Sequence, residues 1–144
     1  MAGSYKTPWE WPNSIITRVV DGDSFYARLT RDIGFNGSVT FIQKLRLMRI
    51  NTPPVKTDIG VEAATFVLGA TLDRSLKITT LKPYKYGDEW MAEVELPDGR
   101  NLSEMLVAAG LAQWWDGEGP RPGGVVDPTL EVLLGWSYDG PPGL

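Results

Sequence analysis

The chain has 144 residues, a formal net charge of −4, and neither cysteine nor histidine. That length suggests one domain, able to bury a core without covalent staples. The missing residue types exclude disulfides, thiolate or imidazole zinc sites, and Ser-His or Cys-His triads, so any catalysis falls to carboxylates, Arg, Lys, Tyr or a hard metal ion.

The charge is unevenly placed. Residues 1–85 hold twelve Lys/Arg against seven Asp/Glu, and residues 86–144 hold two against eleven. The net charge disfavours a general nucleic-acid binder, while the asymmetry suggests one basic and one acidic face. No apolar run reaches the roughly 18 residues that a membrane span needs. Residues 1–12 contain no apolar signal-peptide core, and the compartment stays unassigned.

In chain order, residues 1–13 carry Trp9 and Trp11 between Pro8 and Pro12 and read as an extended arm. Two tryptophans in a short arm call for burial, either on the chain's own core or on a neighbour. Residues 14–21 (SIITRVVD) are β-branched and predict a strand, turned by Asp21-Gly22-Asp23 into a returning strand over 24–29. After a second turn region at 32–38, residues 39–50 alternate, with Phe41, Leu45 and Leu47 on one face and Lys44, Arg46 and Met48 on the other. Residues 60–73 predict a helix, with Val61, Ala64, Leu68 and Leu72 as its apolar stripe.

Two more strands are predicted at 76–82 and 89–96, separated from the next helix by Pro97-Asp98-Gly99. Asn101 is the expected cap of that helix, with Glu104 three positions on, Leu102, Met105, Leu106 and Ala109 as its buried stripe, and Gly110 as its stop. Residues 118–124 (EGPRPGG) form a linker; Asp127-Pro128 opens a short helix bearing Leu130, Leu133 and Leu134, and Trp136 begins an extended tail. The expected fold is β-rich α+β: a five-stranded OB-like antiparallel barrel with two to three short helices and extended N- and C-terminal arms. The expected divisions are an arm at 1–13, a barrel domain at 14–117, and a linker, helix and tail at 118–144.

The pieces VVDGDSF, KLRLMRINTP, GVEAATF, KYG and NLSEMLVAAGLAQWWDG, in that order, resemble the staphylococcal nuclease-like family over residues 14–117. The insert at 32–35 (DIGF) resembles a branch common in bacterial and phage relatives. The resemblance implies an OB barrel and hydrolysis of DNA and RNA phosphodiesters with one calcium ion. Calcium needs several oxygen ligands and polarises the phosphate, a glutamate activates water, and two arginines neutralise the growing phosphoryl charge.

Carried over by position, Asp23 matches the first metal carboxylate, Arg46 the first phosphate arginine, and Thr52 the residue offering a backbone carbonyl to the metal. Asn51 stands where the second metal carboxylate is expected, Pro54 where the water-activating glutamate is expected, and Asp88 where the second arginine is expected. Each survivor has a plainer role as well. Asp21 and Asp23 suit a tight turn, and Arg46 suits a surface charge or a partner of Asp23. Asp58 and Glu62 lie near enough in sequence to stand as relocated bases. Tyr84 and Tyr86 serve either to stack on bases or to cover a barrel end.

The three altered positions lead to the expectation of a pseudoenzyme: a non-catalytic structural module, without metal or cofactor, in a larger oligomeric assembly. Docking is expected through Trp9, Trp11, Leu130, Leu133, Leu134 and Trp136, with a phage virion as one setting. The alternatives are a calcium-dependent nuclease with a rearranged site, and a non-catalytic nucleic-acid-binding OB fold using Arg46, Arg49, Lys82 and Lys85.

Overall fold

Alternation of apolar and polar side chains builds the sheet of the computed structural model, which describes residues 8–84 and 87–116. The elements in chain order are β1 (Trp9–Asp21), β2 (Ser24–Gly34), β3 (Gly37–Leu47), β4 (Ile50–Asn51), α1 (Asp58–Thr71), β5 (Leu76–Pro83), β6 (Trp90–Glu95), α2 (Leu102–Ala108) and β7 (Gln113–Trp114). Five of the strands close a barrel in the order β1-β2-β3-β6-β5, and β4 pairs with β7 beside it.

Closure makes the barrel mixed where an antiparallel one was expected. Five strands cannot alternate in direction all the way round a ring, so one neighbouring pair must run parallel. That pair is β3 with β6, in the register Leu45↔Trp90, Arg46↔Met91 and Leu47↔Ala92, and the other four pairings are antiparallel. Phe25, Ala27, Leu29, Leu45, Leu47, Ile78, Ala92 and Val94 point inward and form the core with Leu102 and Leu106 of α2.

The first strand begins earlier than its sequence suggested. Trp9 and Trp11 lie within β1, opposite Thr80 and Ile78 of β5. Trp11 is buried, donates from Nε1 to Thr80 Oγ1 at 3.0 Å, and meets the edge of Phe41 with ring centroids 5.1 Å apart. Trp11 therefore anchors a barrel strand and is corrected as a docking residue. Trp9 stays half-exposed under the Arg31 guanidinium, 4.9 Å from its ring centroid. The expected helix at 128–134, with Leu130, Leu133 and Leu134, and Trp136 after it, all lie outside the described residues, as do Lys85 and Tyr86.

Helix α1 forms where expected but is rotated from the predicted face. Its buried residues are Gly60, Ala63, Val67 and Thr71, while Val61, Leu68 and Leu72 are about half-exposed. Thr57 caps it: its Oγ1 accepts from Gly60 N at 3.0 Å and donates to the Pro54 carbonyl at 2.7 Å. Small residues face inward because the chain passes close there. A Cβ on Gly60 would overlap the Pro54 carbonyl, and one on Gly22 would lie 2.7 Å from Ala63 Cβ.

Gly60→Ala is accordingly expected to destabilise the fold by about 2–3 kcal/mol, the cost of forcing backbone apart in a packed region. Gly69→Ala, on the same helix with nothing within 4 Å of its built Cβ, is expected to stabilise by about 0.5–1 kcal/mol. Urea denaturation of the two variants checks both signs.

Helix α2 follows its sequence signals closely. Asn101 Oδ1 accepts from Glu104 N at 3.0 Å, and Gly110 takes a φ of 77° where the chain leaves the helix. Leu102 and Leu106 are buried as expected, and Ser103 completes the inner face. Ala109, expected in the buried stripe, is exposed, because the helix ends at Ala108.

Candidate active site

Three segments bring polar groups together on the outer wall of the barrel. Arg46 sits on β3 between the inward-facing Leu45 and Leu47, so its side chain leaves the opposite side of the sheet. There it meets Asp23 from the β1–β2 turn and Asn51 from β4. Arg46 Nη2 lies 3.1 Å from Asp23 Oδ2 and donates to Asn51 Oδ1 at 2.9 Å. Asp23 Oδ2 also accepts from the Thr52 backbone N–H at 3.1 Å. The turn is fastened from behind, where the Asp23 carbonyl accepts from Leu47 N at 2.8 Å.

The sequence-predicted remnants Asp23, Arg46 and Thr52, and the altered Asn51, are thus one cluster. All four are almost completely buried, at 3–5 % exposure. Aromatic rings do the covering. The Arg46 guanidinium carbon lies 4.8 Å from the Tyr84 ring centroid and 5.8 Å from that of Trp115. A buried charge this well paired is costly to disturb, because either partner alone would be left without its counter-charge. Arg46 Nε and Thr52 Oγ1 are buried without a hydrogen-bond partner among the described residues.

Sequence reading missed two contributors. Trp115 is brought in by β4–β7 pairing and by its backbone N–H, which donates to the Arg49 carbonyl at 2.6 Å. Glu89 reaches the rim of the cluster from just before β6. Its Oε2 accepts from Ser24 Oγ at 3.0 Å and lies 3.6 Å from Lys44 Nζ, and its side chain is only 11 % exposed. Ser24 is the residue after Asp23 and pairs with Arg46 across β2 and β3. These contacts are long-range and leave no local motif. The place of Glu89 next to Asp88, where the resemblance leads one to expect an arginine, was the available signal.

The remaining candidates are placed apart from this cluster or at its edge. Asp21 Oδ1 accepts from Val55 N at 3.0 Å and holds the 52–55 segment to the turn. Pro54, Asp58, Glu62 and Asp88 are exposed. Lys82 is exposed near the end of β5. Arg49 turns to the acidic side: Nε donates to Glu93 Oε2 at 2.7 Å, Nη2 to Glu93 Oε1 at 3.2 Å, and Nη2 lies 3.7 Å from Glu104 Oε2. The hydrogen bond with Glu93 raises the Arg49 pKa above its ordinary value, so Arg49 stays charged while bracing β6 and α2.

The residues do not fit a calcium ion. Calcium takes six to eight oxygens, usually with several carboxylates. Here Asn51 Oδ1 accepts from Arg46 Nη2 and Asp23 Oδ2 is ion-paired with the same nitrogen, and Pro54 offers no side-chain oxygen. Among the described residues, no three acidic groups lie close enough together to hold a metal.

No family model matches the chain. The chain is similar to an uncharacterized endonuclease of Escherichia coli O157:H7 and to an uncharacterized endonuclease of Escherichia coli. Each is 27% identical over 118 residues, which cover 82% of this chain and 67% of the relative. The similarity overturns two expectations, that of a non-catalytic structural module and that of no enzyme, and nothing in it supports a virion setting. It points toward a nuclease.

Proposed function

We propose that the chain is a nuclease acting on phosphodiester bonds, built on a staphylococcal nuclease-like barrel with a rearranged site. The observation that carries this reading is the Asp23–Arg46–Asn51 cluster, which holds a permanent cation at the barrel wall beside a second, partly buried carboxylate, Glu89. The similarity to proteins named endonucleases supports it.

The chemistry divides between the two charged groups. Arg46 carries a planar, permanently charged guanidinium, suited to the oxygens of a phosphate as negative charge grows on them. Asp23 and Asn51 fix its orientation from one side. Glu89 is the base: Ser24 Oγ and Lys44 hold its carboxylate, and it takes a proton from water as the water oxygen attacks phosphorus. The bond from phosphorus to the leaving sugar oxygen breaks, and that oxygen takes a proton from solvent. Tyr84 and Trp115 cover Arg46, so a phosphate reaches the guanidinium when these rings move aside.

The test is hydrolysis of single-stranded DNA and of RNA by the purified chain, with calcium and with chelator. Cleavage is expected, and Glu89→Gln should lower the rate by roughly a hundred- to ten-thousand-fold while leaving the melting temperature nearly unchanged. Loss of that size in Asp58→Asn or Glu62→Gln would move the base to α1. Absence of cleavage of either substrate in both conditions would overturn the nuclease reading.

A further inference from the structure

We propose that the Arg46 guanidinium occupies the place of a bound cation in this site, so that the chain engages a phosphodiester without a divalent metal ion. The consequence for catalysis rests on the nuclease reading. The binding consequence does not.

Two oxygens from separate segments converge on one positive donor. Asp23 Oδ2 lies 3.1 Å from Arg46 Nη2 and Asn51 Oδ1 lies 2.9 Å from the same nitrogen. That nitrogen donates a hydrogen bond to Asn51 Oδ1 and is ion-paired with Asp23 Oδ2. A metal ion bridging a carboxylate and an amide would draw on the same two oxygens, so the two cations compete for one place.

Charge decides the competition. Asp23 and Arg46 cancel, and Asn51 adds an oxygen without a charge. A neutral cluster offers a dication no net attraction, while the guanidinium already within hydrogen-bonding distance of both oxygens repels it. Burial sharpens this, because Asp23, Arg46 and Asn51 are each at most 5 % exposed and water screens them little. The guanidinium is also held independently of any ligand, by its own backbone on β3 and by the faces of Tyr84 and Trp115. Arginine does not lose its proton in proteins, so the charge is permanent. A metal ion would instead equilibrate with bulk solvent.

Three measurements on the full chain test this. The first is a calcium titration of the wild type by calorimetry, without substrate, paired with thermal melts in calcium and in chelator. No saturable binding is expected up to about 10 mM, beyond the range of weak protein calcium sites. The two melting temperatures should agree within about 1 °C, because a ligand that does not bind does not stabilise. Saturable binding in that range, with a calcium-dependent rise in melting temperature, overturns the proposal.

The second is the melt of Asp23→Asn in chelator. A fall on the order of 10 °C is expected, or failure to fold, because a buried guanidinium loses its counter-charge. An unchanged or raised melting temperature overturns the proposal, since removing a carboxylate from an empty metal site relieves repulsion.

The third is the hydrolysis assay. Cleavage in chelator supports both readings. Cleavage only with calcium overturns this inference and leaves the nuclease reading standing. Failure to cleave in either condition overturns the nuclease reading, while the titration and the melt still decide the cation.

Discussion

Arg46→Met is expected to slow hydrolysis by about a hundred- to a thousand-fold and to destabilise the protein by about 3–5 kcal/mol, the cost of breaking a buried ion pair from one side. Methionine keeps most of the length of the arginine stem and fills space between Tyr84 and Trp115, so cavity formation contributes little. What is lost is the charge beside Asp23, whose carboxylate is 3 % exposed and faces the guanidinium at 3.1 Å. The Thr52 backbone N–H still donates to that carboxylate, but a hydrogen bond from a neutral amide does not replace the ion pair. Urea denaturation measures the stability change.

For hydrolysis, the loss of one preformed donor to the phosphoryl oxygens corresponds to about a hundred- to a thousand-fold in rate. Arg46→Lys separates the two effects. It keeps the charge and should recover much of the stability, but an ammonium cannot span Asp23, Asn51 and a phosphate as a planar fork does. A Lys variant as active as the wild type would show that the fork is not used.

The sequence carried the barrel well and the site unevenly, for physical reasons that differ by element. Turn and cap chemistry is local, and it was legible: the Asp21-Gly22-Asp23 turn and the Asn101 cap with Glu104 appear where their side chains demanded. The face of α1 was not. Large apolar side chains were taken as the buried stripe, yet close approach of the helix to Gly22 and to the Pro54 carbonyl admits only small residues at Gly60 and Ala63. A rotation of one residue, about 100°, moves Val61, Leu68 and Leu72 outward. That one pair must run parallel follows from closing an odd number of strands; that the pair is β3–β6 comes from the fold.

At the site, the motif positions of Asp23, Arg46, Asn51 and Thr52 converge, because the DGD turn and β4 flank the same end of β3. The functional expectation is overturned by the similarity to endonucleases, and two contacts at the cluster carry no local signal. Glu89 reaches Ser24 across 65 positions of chain, and Trp115 is delivered by a two-residue strand pairing. The resemblance places Asn51 at an altered metal-ligand position. The fold uses it to hold Arg46.

The combined variant Asn51→Asp, Pro54→Glu and Asp88→Arg is expected to become a calcium-dependent nuclease at least about a hundred-fold faster than the parent in calcium. The first two substitutions change the charge around Arg46 Nη2 from neutral to doubly negative, which gives a dication a net attraction that the parent lacks. Glutamate at 54 is compatible with the local backbone: Pro54 contributes only its carbonyl, to Thr57 N at 3.0 Å and Thr57 Oγ1 at 2.7 Å, and its ring is exposed. Asp88 is exposed as well and, among the described residues, lends its carbonyl to Gln43 at 3.5 Å, so an arginine there replaces a repulsive charge near the phosphate without disturbing the core. Calcium titration and initial rates check the two halves separately. If calcium binds and the rate does not rise, the phosphodiester does not reach the Arg46 cluster, and the nuclease chemistry lies elsewhere on the barrel. If calcium does not bind, Arg46 holds its oxygens even against two added carboxylates, and its guanidinium is the cation around which this site is organised.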